Sequence, residues 1–294
     1  MTTPAAIGFI GVGTMGSPMA IHLIAKGHRV IAFDVKPQAL DTVVKAGAVA
    51  GRSVQDVCHQ ARVVFTSLPS PAVFTEVMLG EGGIHTGSAV KIAVDLSTVG
   101  PRSTKAAALG LRDKGIDLVD APVSGGPAGA RQATLTVMAA GAQSAQDEVW
   151  PLLEVFGKVF TIGQEAGQAQ LLKLLNNMLS STAFAITAEA FVAGVKGGLD
   201  PKLMMDVINI SSGRSAASQE KFVRQVLPRT FDFGFPISSI CKDISLAVEE
   251  CEALGVPMWV GSQARQLWKF ALKQDGSGKD MTELVTYLER WAQA

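Results

Sequence analysis

Tyrosine occurs once, cysteine three times and histidine four times in this chain of 294 residues, and each scarcity closes off a chemistry. The cysteines, Cys58, Cys241 and Cys251, are odd in number and form no CxxC pair. That excludes a disulfide framework and suits a reducing, cytoplasmic setting. Clustered His and Cys ligands are missing, so no zinc or other metal is expected. Lys plus Arg equals Asp plus Glu at 26 each, which leaves no net field to gather nucleic acid or an anionic membrane surface. The N-terminal residues lack the basic region and long apolar core of a secretory signal. The most apolar stretch, 174–188, contains Asn176 and Asn177 and is shorter than the roughly 20 residues that span a bilayer. The expected partner is a small molecule.

Apolar residues, in contrast, are plentiful: 48% of the chain, with a mean hydropathy of +0.28, enough for sizeable cores in one large or two ordinary domains. Short apolar runs at 6–10, 29–34, 62–68, 91–96, 116–121 and 134–140 alternate with helical patterns, the rhythm of βαβ units on a parallel sheet. After a last strand near 159–162 the β signal stops, and helical segments such as 169–197 and 242–254 take over. The expected organisation is an α/β nucleotide-binding domain over 1–164 and an all-helical domain over 165–294. Asp200-Pro201 opens one of the later helices, with Asp as cap and Pro in the first turn.

Gly11-Val12-Gly13-Thr14-Met15-Gly16 follows the first apolar strand and opens an apolar helix, the context in which GxGxxG binds a dinucleotide. The first glycine permits the tight turn, the second admits the pyrophosphate to the backbone, and the third lets helix and strand pack closely. Asp34 ends the second strand, where a carboxylate accepts hydrogen bonds from ribose hydroxyls and repels a 2′-phosphate, favouring NAD over NADP. It could instead simply cap the turn at Val35-Lys36-Pro37. Ligands of parallel sheets lie beyond the carboxyl ends of strands, so Ser67-Leu68-Pro69 and Ser97-Thr98-Val99 are expected to line the dinucleotide cleft.

Oxidation of a hydroxyl needs a base for its proton. His22, His28, His59 and His85 all lie in the nucleotide-binding half, outside those loops. Tyr287 lacks a lysine four residues on, where Trp291 stands. Lys173 is the only ionisable residue between Glu165 and Glu189, on an apolar helix where burial disfavours the ammonium and lowers its pKa. Asn177, one turn later on the same face, can join it at one substrate oxygen, while Asn176 points elsewhere. The residues alone leave a second reading open, a lysine snorkelling from a helix end. Ser124, Gly125 and Gly126, after the strand at 116–121, could form an anion nest for a substrate carboxylate or merely an ordinary turn.

The segments GVGTMGSPMA, DLST, DAPVSGGPAGA, KLLNN and KDISLA, in this order over nearly the whole chain, resemble the β-hydroxyacid dehydrogenase family, whose best-known member is 3-hydroxyisobutyrate dehydrogenase. The resemblance implies a Rossmann-type domain joined by a long central helix to an all-helical domain, substrate and nicotinamide meeting between them, and a homodimer or homotetramer. By matching position it implies Lys173 as catalytic acid/base with Asn177 as helper, Ser124, Gly125 and Gly126 as the carboxylate loop, and Thr98 and Lys242 as cofactor contacts. Ala169 and Gln170 depart from the pattern, which often has Gly and Asn there. The run Ser211–Ser215 resembles a loop of 2-(hydroxymethyl)glutarate dehydrogenase, where Arg214 could hold a second carboxylate or simply face solvent. Phe231, Phe233 and Phe235 either wall a pocket or pack. The implied activity is hydride transfer between NAD and a small 3-hydroxy acid. The rivals are a 2-(hydroxymethyl)glutarate-type enzyme, a reductase of tartronate or sulfonated semialdehydes, and a non-catalytic dinucleotide sensor or scaffold.

Overall fold

Alternate residues of the central strands feed two different cores in the computed structural model, which describes residues 6–293. In β1 (Ala6–Ile10) Ile7 and Phe9 join one apolar cluster and Ala6 and Ile10 another. In β4 (Ala61–Thr66) Val63 and Phe65 go to the first and Val64 to the second. A sheet that is apolar on both faces must be covered on both, and a βαβ rhythm supplies the helices to do so.

The chain divides into two compact units, residues 1–173 and 174–294. In the first, β1 and β4 are joined by α1 (Gly16–Ala25), β2 (Val30–Phe33), α2 (Pro37–Lys45), β3 (Val49–Ala50) and α3 (Val54–Cys58). Next come α4 (Pro71–Leu79), β5 (Ile92–Asp95), α5 (Pro101–Arg112), β6 (Asp117–Asp120), β7 (Val123–Ser124) and α6 (Gly126–Gln132), followed by β8 (Leu135–Ala140), α7 (Gln143–Leu153) and β9 (Gly157–Gly163). The strand order is β3-β2-β1-β4-β5-β6-β8-β7, with β9 on β8. Strands β1 to β6 pair in parallel in the order of a dinucleotide-binding sheet. The edge departs from the all-parallel expectation, because β8 runs antiparallel to both β6 and β7. Neither β3 nor β7 was foreseen: each is two residues long, too short to carry a period.

In the second unit, most of α8 (Gln168–Lys196) precedes α9 (Pro201–Ile210), a π-helix (Ala217–Val226), α10 (Ile237–Ala253), α11 (Trp259–Lys273) and α12 (Leu284–Ala292). Asp200 caps α9 as its sequence demands, accepting from Leu203 N at 2.7 Å. The apolar run at 174–188 is only the middle of α8, which at 29 residues is long and apolar enough to cross a membrane by length and composition. Phe184, Phe191, Phe222, Trp268 and Tyr287 anchor this unit's core. The helix expected over 242–254 starts five residues earlier, at Ile237, ahead of a serine pair with weak helix propensity.

Candidate active site

The fingerprint loop is shaped by two positions where no side chain fits. Gly11 has φ +84°, and a Cβ there would come 2.3 Å from Ser67 O; one on Gly16 would come 2.0 Å from Gly11 O. A Cβ on Gly13 would instead meet nothing within 4 Å. The backbone is thus bare and open where a pyrophosphate must approach, and closed where helix and strand must meet. Asp34 caps its turn and also reaches back to the fingerprint. Its Oδ1 accepts from Lys36 N at 2.8 Å as a turn cap, and its Oδ2 accepts from Val12 N at 2.8 Å, tying the end of β2 to the fingerprint. Each carboxylate oxygen keeps acceptor capacity for a ribose hydroxyl.

Gly11 follows β1 and Ser67 follows β4, neighbouring strands where the sheet order reverses, the place where open α/β sheets bind ligands. The loops after β4 and β5 are locked together: Leu68 N donates to Ser97 Oγ at 2.8 Å, and Ser97 Oγ donates to Asp95 Oδ1 at 2.6 Å. Leu68 and Thr98 are half-buried and Pro69 is exposed.

Gln170, where the family pattern is broken, proves to be a buried clamp. Its Oε1 accepts from Val99 N at 3.0 Å and Gly100 N at 3.2 Å, and its Nε2 donates to Ser97 O at 2.9 Å. Asp120 holds the start of α8 by accepting from Gly167 N and Gln170 N, both at 3.0 Å. A carboxylate at a helix N-terminus satisfies orphan donors and meets the positive end of the dipole. Burial nevertheless pushes the Asp120 carboxyl up to about 7, the two amides opposing and Asp95 adding to the shift.

The native chain therefore keeps this proton longer than the unfolded chain does. Its stabilising effect is complete below pH about 4 and is lost as pH rises through about 7. In Asp120→Asn that component vanishes. The stability difference between wild type and variant, measured by urea unfolding, should narrow from pH 5 to pH 8, and a pH-independent difference would contradict the assignment.

Lys173 is 7% exposed and sits one turn past this clamp, so snorkelling to solvent is ruled out. Asn177 follows one turn later on α8, and its Nδ2 donates to Asp243 Oδ2 at 2.7 Å. The other carboxylate oxygen, Asp243 Oδ1, lies 3.0 Å from Lys242 Nζ. Asp243 is itself buried, so it fixes the direction of the Asn177 amide while one N–H of that amide remains to donate elsewhere. Asn176 does not point away as expected, because its Nδ2 donates to Asn177 Oδ1 at 3.2 Å.

Ser124 is half-buried on β7, paired with Thr136 of β8, and Gly125 and Gly126 follow at φ +129° and +64° to start α6. Arg214 lies exposed between α9 and the π-helix. Phe231, Phe233 and Phe235 pack, partly buried, on the helical core. Among the described residues no group of three or more His, Cys, Asp and Glu could hold a metal ion.

Comparison with known proteins matches two family models in succession along the chain. Residues 6–163 match the NAD-binding domain of 6-phosphogluconate dehydrogenase, and residues 167–288 match the NAD-binding family of NADP-dependent 3-hydroxyisobutyrate dehydrogenase. Among curated relatives, 2-(hydroxymethyl)glutarate dehydrogenase of Eubacterium barkeri is 38% identical over 97% of this chain and 95% of its own. The chain belongs to the β-hydroxyacid dehydrogenase family. Another relative, 3-hydroxyisobutyrate dehydrogenase of Pseudomonas aeruginosa, is 35% identical over 92% of this chain and 93% of its own. A solved 3-hydroxyisobutyrate dehydrogenase of Mycobacterium tuberculosis, with L-serine, superposes with a TM-score of 0.86 at 30% identity, covering 97% of this chain and 99% of that one.

In this β-hydroxyacid dehydrogenase, sequence reasoning missed three residues that arrange the candidate site: Asp120, Gln170 and Asp243. Asp120 opens the run DAPVSGGPAGA, and Asp243 stands directly beside Lys242. Asp120 and Gln170 each stand between two apolar neighbours, the one signal that could have flagged them as buried, partnered groups, and Asp243 carries none.

Proposed function

We propose that the enzyme oxidises a small 3-hydroxy acid reversibly with NAD, with Lys173 exchanging the hydroxyl proton. The buried amine of Lys173, on a helix start held by Asp120 and Gln170, carries this reading. When bound, NAD supplies the hydride acceptor. Gly11, Gly13 and Gly16 would face its pyrophosphate with Thr14 and Met15, Asp34 its adenosine ribose, and Leu68, Pro69 and Thr98 the remainder. Lys173 draws the proton from the substrate hydroxyl in oxidation and returns it in reduction, and the free N–H of Asn177 holds the same oxygen. Ser124 and the bare amides of Gly125 and Gly126 take the carboxylate. A sensor or scaffold would have no use for a buried amine so placed.

The carboxylate of Asp34 underlies the preference for NAD over NADP. Three buried free thiols suit a cytoplasmic protein. Apolar residues left exposed at Leu172, Leu179 and Ile186, seven apart along α8, and at Leu203, Val207 and Ile210 on α9 support a homodimer or homotetramer, which a monomeric mass by light scattering would contradict. The activity is tested by incubating the purified enzyme with a panel of 3-hydroxy acids, NAD and NADP in parallel, and following absorbance of the reduced cofactor. Turnover with NAD is expected. No turnover of any member would overturn the activity, and faster turnover with NADP the cofactor preference.

A further inference from the structure

Lys221 is the second buried lysine of the chain, 7% exposed, and the chemistry above leaves it unused. It sits mid-way along the π-helix 217–226, a form that occurs mostly in single turns and frequently at functional sites. Its Nζ donates to Ser180 Oγ at 3.2 Å and lies 5.0 Å over the ring of Phe233. Among the described residues no carboxylate lies within 4 Å of it. A hydroxyl and a ring face are weak compensation for taking an ammonium out of water, and buried charges are normally paired.

The place of Ser180 supplies the reason to keep a charge there. Lys173, Asn177 and Ser180 stand at i, i+4 and i+7 of α8, one face of one helix. Ser180 is two turns, about 10 Å, beyond Lys173. Lys221 therefore presents its ammonium to the face that carries the acid/base, at the far end of it. Arg214, the residue whose neighbourhood suggested a second carboxylate, is exposed and has no such placement.

We propose that the Lys221 ammonium is the counter-ion of a second carboxylate on the substrate, so that the hydroxy acid this enzyme prefers is a dicarboxylate. This rests on the hydroxy-acid reading above. Ser180 orients the ammonium, and Phe233 lines the approach of the methylene chain between the two acid groups. Burial pushes the free Lys221 ammonium below its ordinary range, and an arriving carboxylate opposes that shift.

The test compares kcat/KM with NAD for 2-(hydroxymethyl)glutarate and for 3-hydroxyisobutyrate, which differ by the second acid group and the methylene that carries it. Wild type is expected to favour the diacid. In Lys221→Met the diacid-to-monoacid ratio should fall at least about thirtyfold through the diacid KM, the loss expected when one partner of a buried charge pair is removed, and Lys221→Arg should restore part of it. A ratio unchanged by Lys221→Met, or no diacid preference in wild type, overturns the proposal. Wild-type turnover of the monoacid alone overturns it while leaving the hydroxy-acid reading intact, and turnover of neither acid overturns both. If Lys221→Met does not fold, inhibition of the wild type decides: glutarate should bind more tightly than butyrate, and equal inhibition constants overturn the proposal.

Discussion

Lys173→Ala should lower kcat by about 10²–10⁴-fold, the range over which a positioned acid/base contributes, while the dissociation constant of NADH barely changes. The two halves of that expectation rest on different residues. The dinucleotide would be met by the loop after β1, by Asp34 and by the loops after β4 and β5, which the side chains of Asp34, Ser97 and Gln170 hold through backbone amides. The proton, however, has no other carrier within reach along α8: Asn177 cannot ionise, and its amide is turned by Asp243. Lys173→Arg sharpens the test, because guanidinium preserves the charge but does not release a proton near neutral pH. If Lys173 only held the substrate electrostatically, arginine would rescue turnover; as the acid/base, it should fail almost as badly as alanine. Stopped-flow measurement of a single turnover alongside NADH titration separates the chemical step from cofactor binding, and wild-type turnover in either variant would rule the role out.

Gly16→Ala should abolish detectable NADH binding and lower the melting temperature together, whereas Gly13→Ala should affect binding alone. The methyl added at position 16 would sit 2.0 Å from Gly11 O and 3.1 Å from the Phe9 ring. The obstacle at 2.0 Å is backbone, with no rotamer to yield, so α1 must shift away from β1, and overpacking of this kind typically costs about 1–3 kcal/mol. That shift also moves the helix N-terminus that faces the pyrophosphate. The methyl at position 13 meets no protein atom, so the fold should bear it and the cofactor should not. Thermal unfolding paired with fluorescence titration of NADH tells the two apart, and normal NADH affinity in Gly16→Ala would refute the argument.

Much of the first unit was legible because its signals are periodic and local: apolar strands, the glycine fingerprint, an acid at the end of β2. The fingerprint context identified β1 and α1 together, and Asp34 stands where the motif requires it. What escaped were features created by distant residues. Gln170 looked like a mere departure from the family pattern, yet its side chain spans from α8 to three backbone groups after β5. Asp243 is one more acid on a helix until α10 packs it against Asn177. The antiparallel edge depends on β7, two residues whose pairing with β8 has no sequence period. The π-helix has no signature in the sequence, because composition does not distinguish an i+5 from an i+4 ladder.

An enzyme that trades in reducing equivalents keeps its own sulfur away from that trade. Cys58 is fully enclosed, Cys241 and Cys251 are each 5% exposed, and burial pushes the first two thiols up to about 12 and about 11. Un-ionised and sheltered, they offer peroxides and electrophiles almost no thiolate to attack. Turnover should therefore persist through swings in the thiol pool that would silence a dehydrogenase with a surface cysteine.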